Sequence, residues 1–498
     1  MASVPMTPAG HGGEPPVADL LDTSAAGPAA IRGGGLRIVA YFAGTLVGVG
    51  STALLFRHLG VVDTGRYSIA ISLVAIVSGL SDLGLSAIGV RELSIRAHES
   101  RARLARNLLG LRIVLSALGV LAVTLFAAAV GYGGTLVLGV VLAGVGLVFQ
   151  SSQSTLALVL ISDLRLGWVA AFEFLRSLLT AVLIVILVLS GAHLLAFLTV
   201  SIPVGIVVFA LNAWIVRGRV PLKPAFHTSE WWGLLRDVLP YSAAVAAATL
   251  YFYMAVVLVS LLADSHALGY FSVSARIVQV LLVMPGLAVG AAFPIFSRAA
   301  RDDRARLAYA LGRVFEVSLL LGVWVSLCLA IGASVAIDVI GGSKFEPASS
   351  VLAIQGVGLG ASFCGAVWSN GLLSLGRYRV ILTINIFALL LGALLIALLV
   401  SIDGARGAAI ATASGEVVLS ALSGLALARA DRSLAPPLRI VPPLLVAVGL
   451  AVASTLIDLP VLASVILASA VYLGVLILLG AVPEELRQQL RLRPSLRG

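Results

Sequence analysis

Apolar runs of roughly 18–26 residues, each long enough to cross the ~30 Å hydrocarbon core of a bilayer as a helix, recur along this chain. About 14 such runs follow one another with short breaks, near 36–56, 67–90, 108–130, 135–160, 169–190, 195–216, 238–262, 270–297, 308–333, 351–375, 380–401, 407–428, 440–459 and 461–482. Aromatic and small residues are scattered through all of them, so helices are expected rather than the alternating strands of a barrel. Composition closes off a soluble alternative. The chain is 60% hydrophobic and 11% charged, against roughly 45–50% and about 25% in a soluble domain. No water-soluble interior hides that much apolar surface, so lipid is the solvent for most of it.

Orientation follows from the loops. One alternate set of connections carries 25 of the 33 Lys and Arg residues, Arg91, Arg101, Arg103, Arg219, Arg301 and Arg304 among them. The other set carries Arg57, Arg66, Lys344 and Arg406. By the positive-inside rule both termini are expected in the cytoplasm. The net charge of +10 thus reports membrane orientation, and no nucleic-acid partner is expected. Residues 1–33, rich in Pro, Gly and Ala without a basic n-region, read as a disordered cytoplasmic tail. Residues 483–498 read as a basic cytoplasmic tail. Cys328 and Cys364 fall inside predicted spans and fit small apolar packing residues. The histidines lack metal-ligand spacing, and there is neither a GxxxxGK[ST] loop nor an HExxH. No cofactor, no metal and no enzyme activity are expected.

The chain repeats itself. Gly65-Arg66-Tyr67-Ser68 opens span two and Arg101-Ala102-Arg103-Leu104-Ala105 follows it; Gly269-Tyr270-Phe271-Ser272 opens span eight and Arg304-Ala305-Arg306-Leu307-Ala308 follows it. Leu166-Gly167 before span five matches Leu375-Gly376 before span eleven. The unit is six spans, and an even number keeps the second copy in the orientation of the first, as in transporters whose lobes are related by an axis along the membrane normal. The expected organisation is an all-α polytopic membrane protein with an N-lobe at 34–216 (spans 1–6) and a cytoplasmic linker at 217–237. A C-lobe at 238–429 (spans 7–12) and an appended helix pair at 430–482 (spans 13–14) complete it.

Leu59-Gly60 through Tyr67, then Ser81-Asp82-Leu83-Gly84-Leu85 and the Arg91-Glu92 exit, resemble the opening of the bacterial polysaccharide and oligosaccharide flippases of the multidrug/oligosaccharidyl-lipid/polysaccharide exporter superfamily. Gly341 through Ala348 looks like that family's outer loop before span ten. Gly376-Arg377, Asn385, Gly404 and Gly407 through Thr412, then Glu416, are similar to its span 11–12 signature. The resemblance covers roughly 34–430. It implies two six-helix lobes around a central cavity and transport of a polyprenyl-diphosphate-linked glycan to the outer leaflet of a bacterial inner membrane. The implied partners are that lipid-linked glycan, membrane lipid, an H+ or Na+ coupling ion, and a glycan polymerase or glycosyltransferase. A drug antiporter of the same superfamily, a lipid II flippase and a non-transporting scaffold for glycan synthesis are the alternatives.

Charges inside spans are costly and single themselves out. Arg276, two turns into span eight, is the leading cation for an anionic headgroup, with snorkelling to the interface as the plain alternative. Arg57, near the outer end of span one, is a weaker one. Glu173 and Arg176 share one face of span five, either as a self-neutralising pair or as a cavity wall. Gln150 and Gln153 on span four fit sugar contacts or interhelical hydrogen bonding. Asp82, Glu316 and Glu416 are the candidate ion-coupling carboxylates, although Arg313 lies one turn from Glu316. Pro285-Gly286 in mid span eight marks a kink that could serve as a hinge.

Overall fold

The structure is a computed structural model that describes residues 26–95, 98–436 and 438–481, so most of the expected N-terminal tail and the basic C-terminal tail lie outside the described residues. Within them the chain is helical throughout, with only turns and short 3-10 segments between helices. The N-lobe comprises α1 (Ala26–Asp82), α2 (Leu85–Ile95), α3 (His98–Ala129), α4 (Gly134–Ser162), α5 (Leu166–Leu189), α6 (Leu194–Thr199) and α7 (Ser201–Val216). The C-lobe comprises α8 (Thr228–Leu262), α9 (Ser265–Leu281), α10 (Val283–Asp302), α11 (Arg304–Gly341), α12 (Ala348–Ser374) and α13 (Tyr378–Ala430). The appended pair is α14 (Val441–Ser454) and α15 (Val461–Leu478).

Eleven of these are long and apolar enough to cross a membrane. Two carry a pair of spans each: α1 bends back at Gly60 (φ 72°), and α13 at Asp403 and Gly404 (φ 48°). A positive φ at a glycine carries no Cβ penalty, so one residue does the work of a loop. The connection expected over Leu59–Arg66 is therefore helix on either side of Gly60. With α14, only 14 residues long, every predicted span falls on a helix.

Three predicted spans are interrupted. Span two breaks at Leu83-Gly84, both at positive φ. Span six breaks at Val200 and span eight at Leu282. Pro203 and Pro285 are each the third residue of the restarting helix. Lacking an N–H, neither can bond back to the carbonyl four residues earlier, at Thr199 or Leu281, which is where the first segments end. The linker is shorter than 217–237 predicts, because α8 begins at Thr228. It is tied to α3: Arg106 Nε donates to the Lys223 carbonyl at 3.0 Å, and the Ala225 N–H to the Arg106 carbonyl at 3.0 Å. Glu230, in the first turn of α8, accepts from Asn107 and pairs with Arg103.

The repeat is physical. A Cβ on Gly65 would lie 3.1 Å from the Gly269 N and 3.0 Å from Leu268 Cγ, and one on Gly269 would strike the Val61 carbonyl oxygen. The duplicated glycines face each other across the lobe junction. One sequence match is corrected. The turn geometry of Leu164-Arg165 (φ 55° at Leu164), not of Leu166-Gly167, recurs at Gly376-Arg377 (φ 68° at Gly376). In both turns the arginine N–H bonds back five residues, to Leu160 and to Leu372.

Buried residues show where the lobes join. Toward the arginine-rich face each lobe has its own core, Leu93, Leu108 and Phe172 in one, Phe296, Leu311 and Val367 in the other. Toward the opposite face the cores are shared. Leu55, Phe56 and Phe197 pack with Val273, Phe345 and Phe363, and Ile69 and Leu73 with Val259 and Phe271. The lobes thus share an apolar core toward the arginine-poor face and keep separate ones toward the other, where polar contacts such as Arg103 with Glu230 link them. The appended pair docks on α11 through buried Tyr472, whose hydroxyl donates to the Leu320 carbonyl at 2.8 Å, and through the Trp324 Nε1–H to Ser469 Oγ at 3.1 Å.

Gly269→Val is expected to lower the thermal unfolding midpoint of the purified protein, since overpacking a close contact typically costs about 1–3 kcal/mol. Gly474→Ala, with no atom within 4 Å of its added Cβ, should leave it unchanged. Equal midpoints would show that the lobes do not meet at Gly269.

Candidate functional site

Where the two cores part, a cavity of about 1210 Å3 opens between the lobes. Its walls come from α1 (Tyr41, Thr45, Thr52), α5 (Glu173, Arg176, Ser177), α8 (Phe252, Tyr253), α9 (Arg276, Gln279) and the end of α11 (Val339, Ile340). Most of the wall is apolar, and the charged groups are Glu173, Arg176 and Arg276. The structure brings these three together from opposite lobes. Arg276 is exposed to the cavity and makes no ion pair among the described residues. In a low-dielectric setting an unpaired guanidinium attracts an anion far more strongly than it would in water.

Behind Arg176 lies a smaller cavity of about 120 Å3 within the N-lobe, lined also by Tyr67, Gln150, Gln153, Thr180 and Ser201. Arg176 borders both spaces. One of its nitrogens donates to Gln153 Oε1 at 3.2 Å, and Asn212 on α7 donates to the Gln153 carbonyl at 3.3 Å. Gln150 and Gln153 therefore sit one layer back from the central cavity.

The three carboxylates divide. Asp82, at the end of α1, pairs with Arg112 on α3, and its Oδ1 accepts from Ser86 Oγ at 2.6 Å. Arg112 also donates to Ser86 at 2.7 Å and to Ser154 on α4 at 2.6 Å. This network holds α1, α2, α3 and α4 together across the break at Leu83-Gly84. Nothing in the local pattern marks Arg112, which reads as a charge one turn inside a predicted span. Glu316 is 4% exposed and held between Arg313 (2.9 Å) and Arg439 (2.8 Å), tying α11 to the approach of the appended pair. Glu416 is different. Its Oε2 accepts from Ser362 Oγ at 2.6 Å and it is hydrogen-bonded by Tyr251, with no cation beside it among the described residues. It borders two cavities inside the C-lobe, of about 90 and 410 Å3, where Gln355, Thr412 and Asn385 also face.

Arg57 stands apart from the central cavity. Its guanidinium donates to the carbonyls of Asp338 (2.7 Å) and Val339 (2.9 Å), capping the C-terminal end of α11 from the other lobe. His58 beside it meets the Ala192 carbonyl at 2.8 Å. Pro285 is buried and Gly286 exposed, next to the interruption at Leu282 on the same span as Arg276.

The family model described as "Polysaccharide biosynthesis protein" matches residues 30–300, more than half of the chain. No curated protein matches in sequence at a significant level. Among solved structures the chain is similar to the lipid II flippase MurJ in an inward closed conformation, with a TM-score of 0.72 at 14% identity, covering 89% of this chain and 98% of that one. It is also similar to an inward-facing multidrug resistance MATE family transporter of the MOP superfamily (TM-score 0.62, 17% identity, 80% and 98% covered). A third is the MATE multidrug transporter DinF-BH (TM-score 0.61, 18% identity, 83% and 97% covered). At these identities the likeness is one of fold, that of a multi-pass helical membrane protein.

Arg112→Leu strands Asp82 without a counter-charge; because the Asp82 side chain is 34% exposed, the cost should fall below the ~3–5 kcal/mol of a fully buried pair. The double variant Asp82→Leu/Arg112→Leu should recover part of that loss, so the two substitutions will be less than additive in denaturant unfolding of the purified protein. Full additivity would remove the pair from the account of N-lobe stability.

Proposed function

Because the chain belongs to the polysaccharide biosynthesis protein family, we propose that it is a flippase. Its cargo is a polyprenyl-diphosphate-linked oligosaccharide or polysaccharide precursor, moved from the inner to the outer leaflet of a bacterial cytoplasmic membrane. The observation that carries this reading is the placement of Arg176 and Arg276, from opposite lobes, on one cavity of about 1210 Å3 that lies where the lobes separate. A diphosphate is anionic and a glycan is polar, so both need a route that spares them the hydrocarbon. The arginines meet the phosphates, while Tyr41, Tyr253, Gln279 and Glu173 offer sugar hydroxyls and faces a surface to lie on. The lipid tail stays outside the lobes.

The cavity reaches from Arg176 on α5 to Val339 and Ile340 at the arginine-poor end of α11, and its entrance is proposed on the arginine-rich face, which the positive-inside rule assigns to the cytoplasm. Rocking of the lobes about their shared core would close that side and part the other. Arg57 would release the end of α11, and the interruption at Leu282, set by Pro285, would let span eight bend beside Arg276. For coupling to an ion gradient, Glu416 is the carboxylate best suited, since Asp82 and Glu316 already have arginine partners. A proton on Glu416, or a Na+ among Glu416, Tyr251 and Ser362, would alter the packing of α13 against α8 and α12. A glycan polymerase or glycosyltransferase would act next to such a protein, supplying or using its cargo. The second reading is a drug antiporter, favoured by the aromatic and apolar part of the wall.

In proteoliposomes containing a lipid-linked oligosaccharide, protein-dependent exposure of the glycan is expected. Arg276→Ala should slow it by about 10–100-fold, the value of one charge-assisted hydrogen-bonded contact of about 1.5–3 kcal/mol, and Arg276→Lys by much less. Glu416→Gln should abolish the response to an imposed H+ or Na+ gradient, which Asp82→Asn should preserve. Efflux of cationic dyes without glycan translocation would overturn the flippase reading in favour of the antiporter.

A further inference from the structure

We propose that the small cavity within the N-lobe is a binding site for a small inorganic anion, a halide such as chloride. The space of about 120 Å3 is several times the roughly 10–15 Å3 that a single water needs, and about a tenth of the central cavity. Its polar lining is Tyr67, Gln150, Gln153, Arg176, Thr180 and Ser201, set in an aliphatic wall. Among the described residues no carboxylate lines it. Glu173, one turn from Arg176, borders the central cavity instead.

The donors around this space lack acceptors. The Tyr67 and Thr180 hydroxyls and the Gln150 amide have no hydrogen-bond partner among the described residues. Gln153 receives Arg176 on its Oε1, which leaves its NH2 group to donate elsewhere. The Asn212 bond to the Gln153 carbonyl pins α4 against α7 and keeps that amide in place. Unsatisfied donors inside a membrane-spanning lobe are costly. Water can fill such a space, accepting from Arg176 and donating to the hydroxyl and Gln150 oxygens, but it brings no counter-charge. A halide accepts from every direction and adds, from the other side, to the counter-charge that Glu173 already sets beside Arg176. Since Arg176 borders both cavities, the ion would balance its charge from behind while the central cavity is empty. The site does not depend on the identity of the cargo.

The test is the thermal unfolding midpoint of the purified full-length protein, titrated with chloride replacing isethionate at constant ionic strength. A saturable rise in midpoint is expected. Thr180→Val, nearly isosteric, and Gln153→Leu should each raise the half-saturating chloride concentration at least tenfold, whereas Arg276→Gln should leave it unchanged. No rise beyond that in isethionate would show a cavity holding water only and would overturn the proposal. So would a rise lost in Arg276→Gln but kept in Thr180→Val, which would put the anion in the central cavity. Failure of glycan transport in the proteoliposome assay would not bear on this result, because no cargo is present.

Discussion

The contact of α9 with α1 at Gly269, close enough that a side chain there would strike the Val61 carbonyl, determines how the two halves of the molecule are joined. It brings the duplicated second spans together at the arginine-poor face, and the large apolar residues Phe56, Phe271 and Phe345 then fill one core common to both lobes. Among the described residues no apolar core common to both lobes forms toward the arginine-rich face; each keeps its own there, and the lobes meet through narrower contacts such as Arg103 with Glu230 and Ser242 with the Leu83 carbonyl. The central cavity is the geometric result. Rigid bundles fixed along one edge must diverge at the other, because close-packed interiors shift as units.

Electrostatics sorts the charged groups placed within spans. Arg112 and Arg313 lie against carboxylates from the same lobe and act as internal ties. Arg176 and Arg276 are turned to open space. A charge in a membrane interior is retained only where something offsets its desolvation. For the first two the offset is built into the chain, whereas Arg276 faces the central cavity and makes no ion pair among the described residues. The carboxylates follow the same division, with Glu416 held by neutral hydroxyls where Asp82 and Glu316 are held by cations. Exchangeable partners therefore collect on the cavities and permanent ones at the helix crossings.

The spans and the six-span repeat were legible in the sequence because each depends on local pattern, apolar length and spacing, and helix-face periodicity set Glu173 beside Arg176; that Arg276 lines the same cavity is what the fold adds. Long-range pairing was not. Asp82 stands nearly alone in its own span, and its partner comes from α3, thirty positions on. Arg57 reads as an interfacial charge, yet its acceptors are two backbone carbonyls on the other lobe, which no side-chain pattern records. The interruptions at Pro203 and Pro285 could be foreseen from the missing N–H. The one at Leu83-Gly84 could not, since a leucine at positive φ is a conformation imposed by its surroundings.

The connections on the arginine-poor face are all very short. Gly60 alone turns α1, two residues turn α13, and the others are Val130–Gly133, Ser190–His193, Ala263-Asp264, Gly342–Pro347 and Thr455–Pro460. With so little chain beyond the helix ends, that face offers no flexible segment for a protease to seize, an antibody to wrap or an adaptor to fold upon. The longer connections, including the Arg217–His227 linker moored to α3, lie on the other face. An inserted tag therefore has most room in that linker.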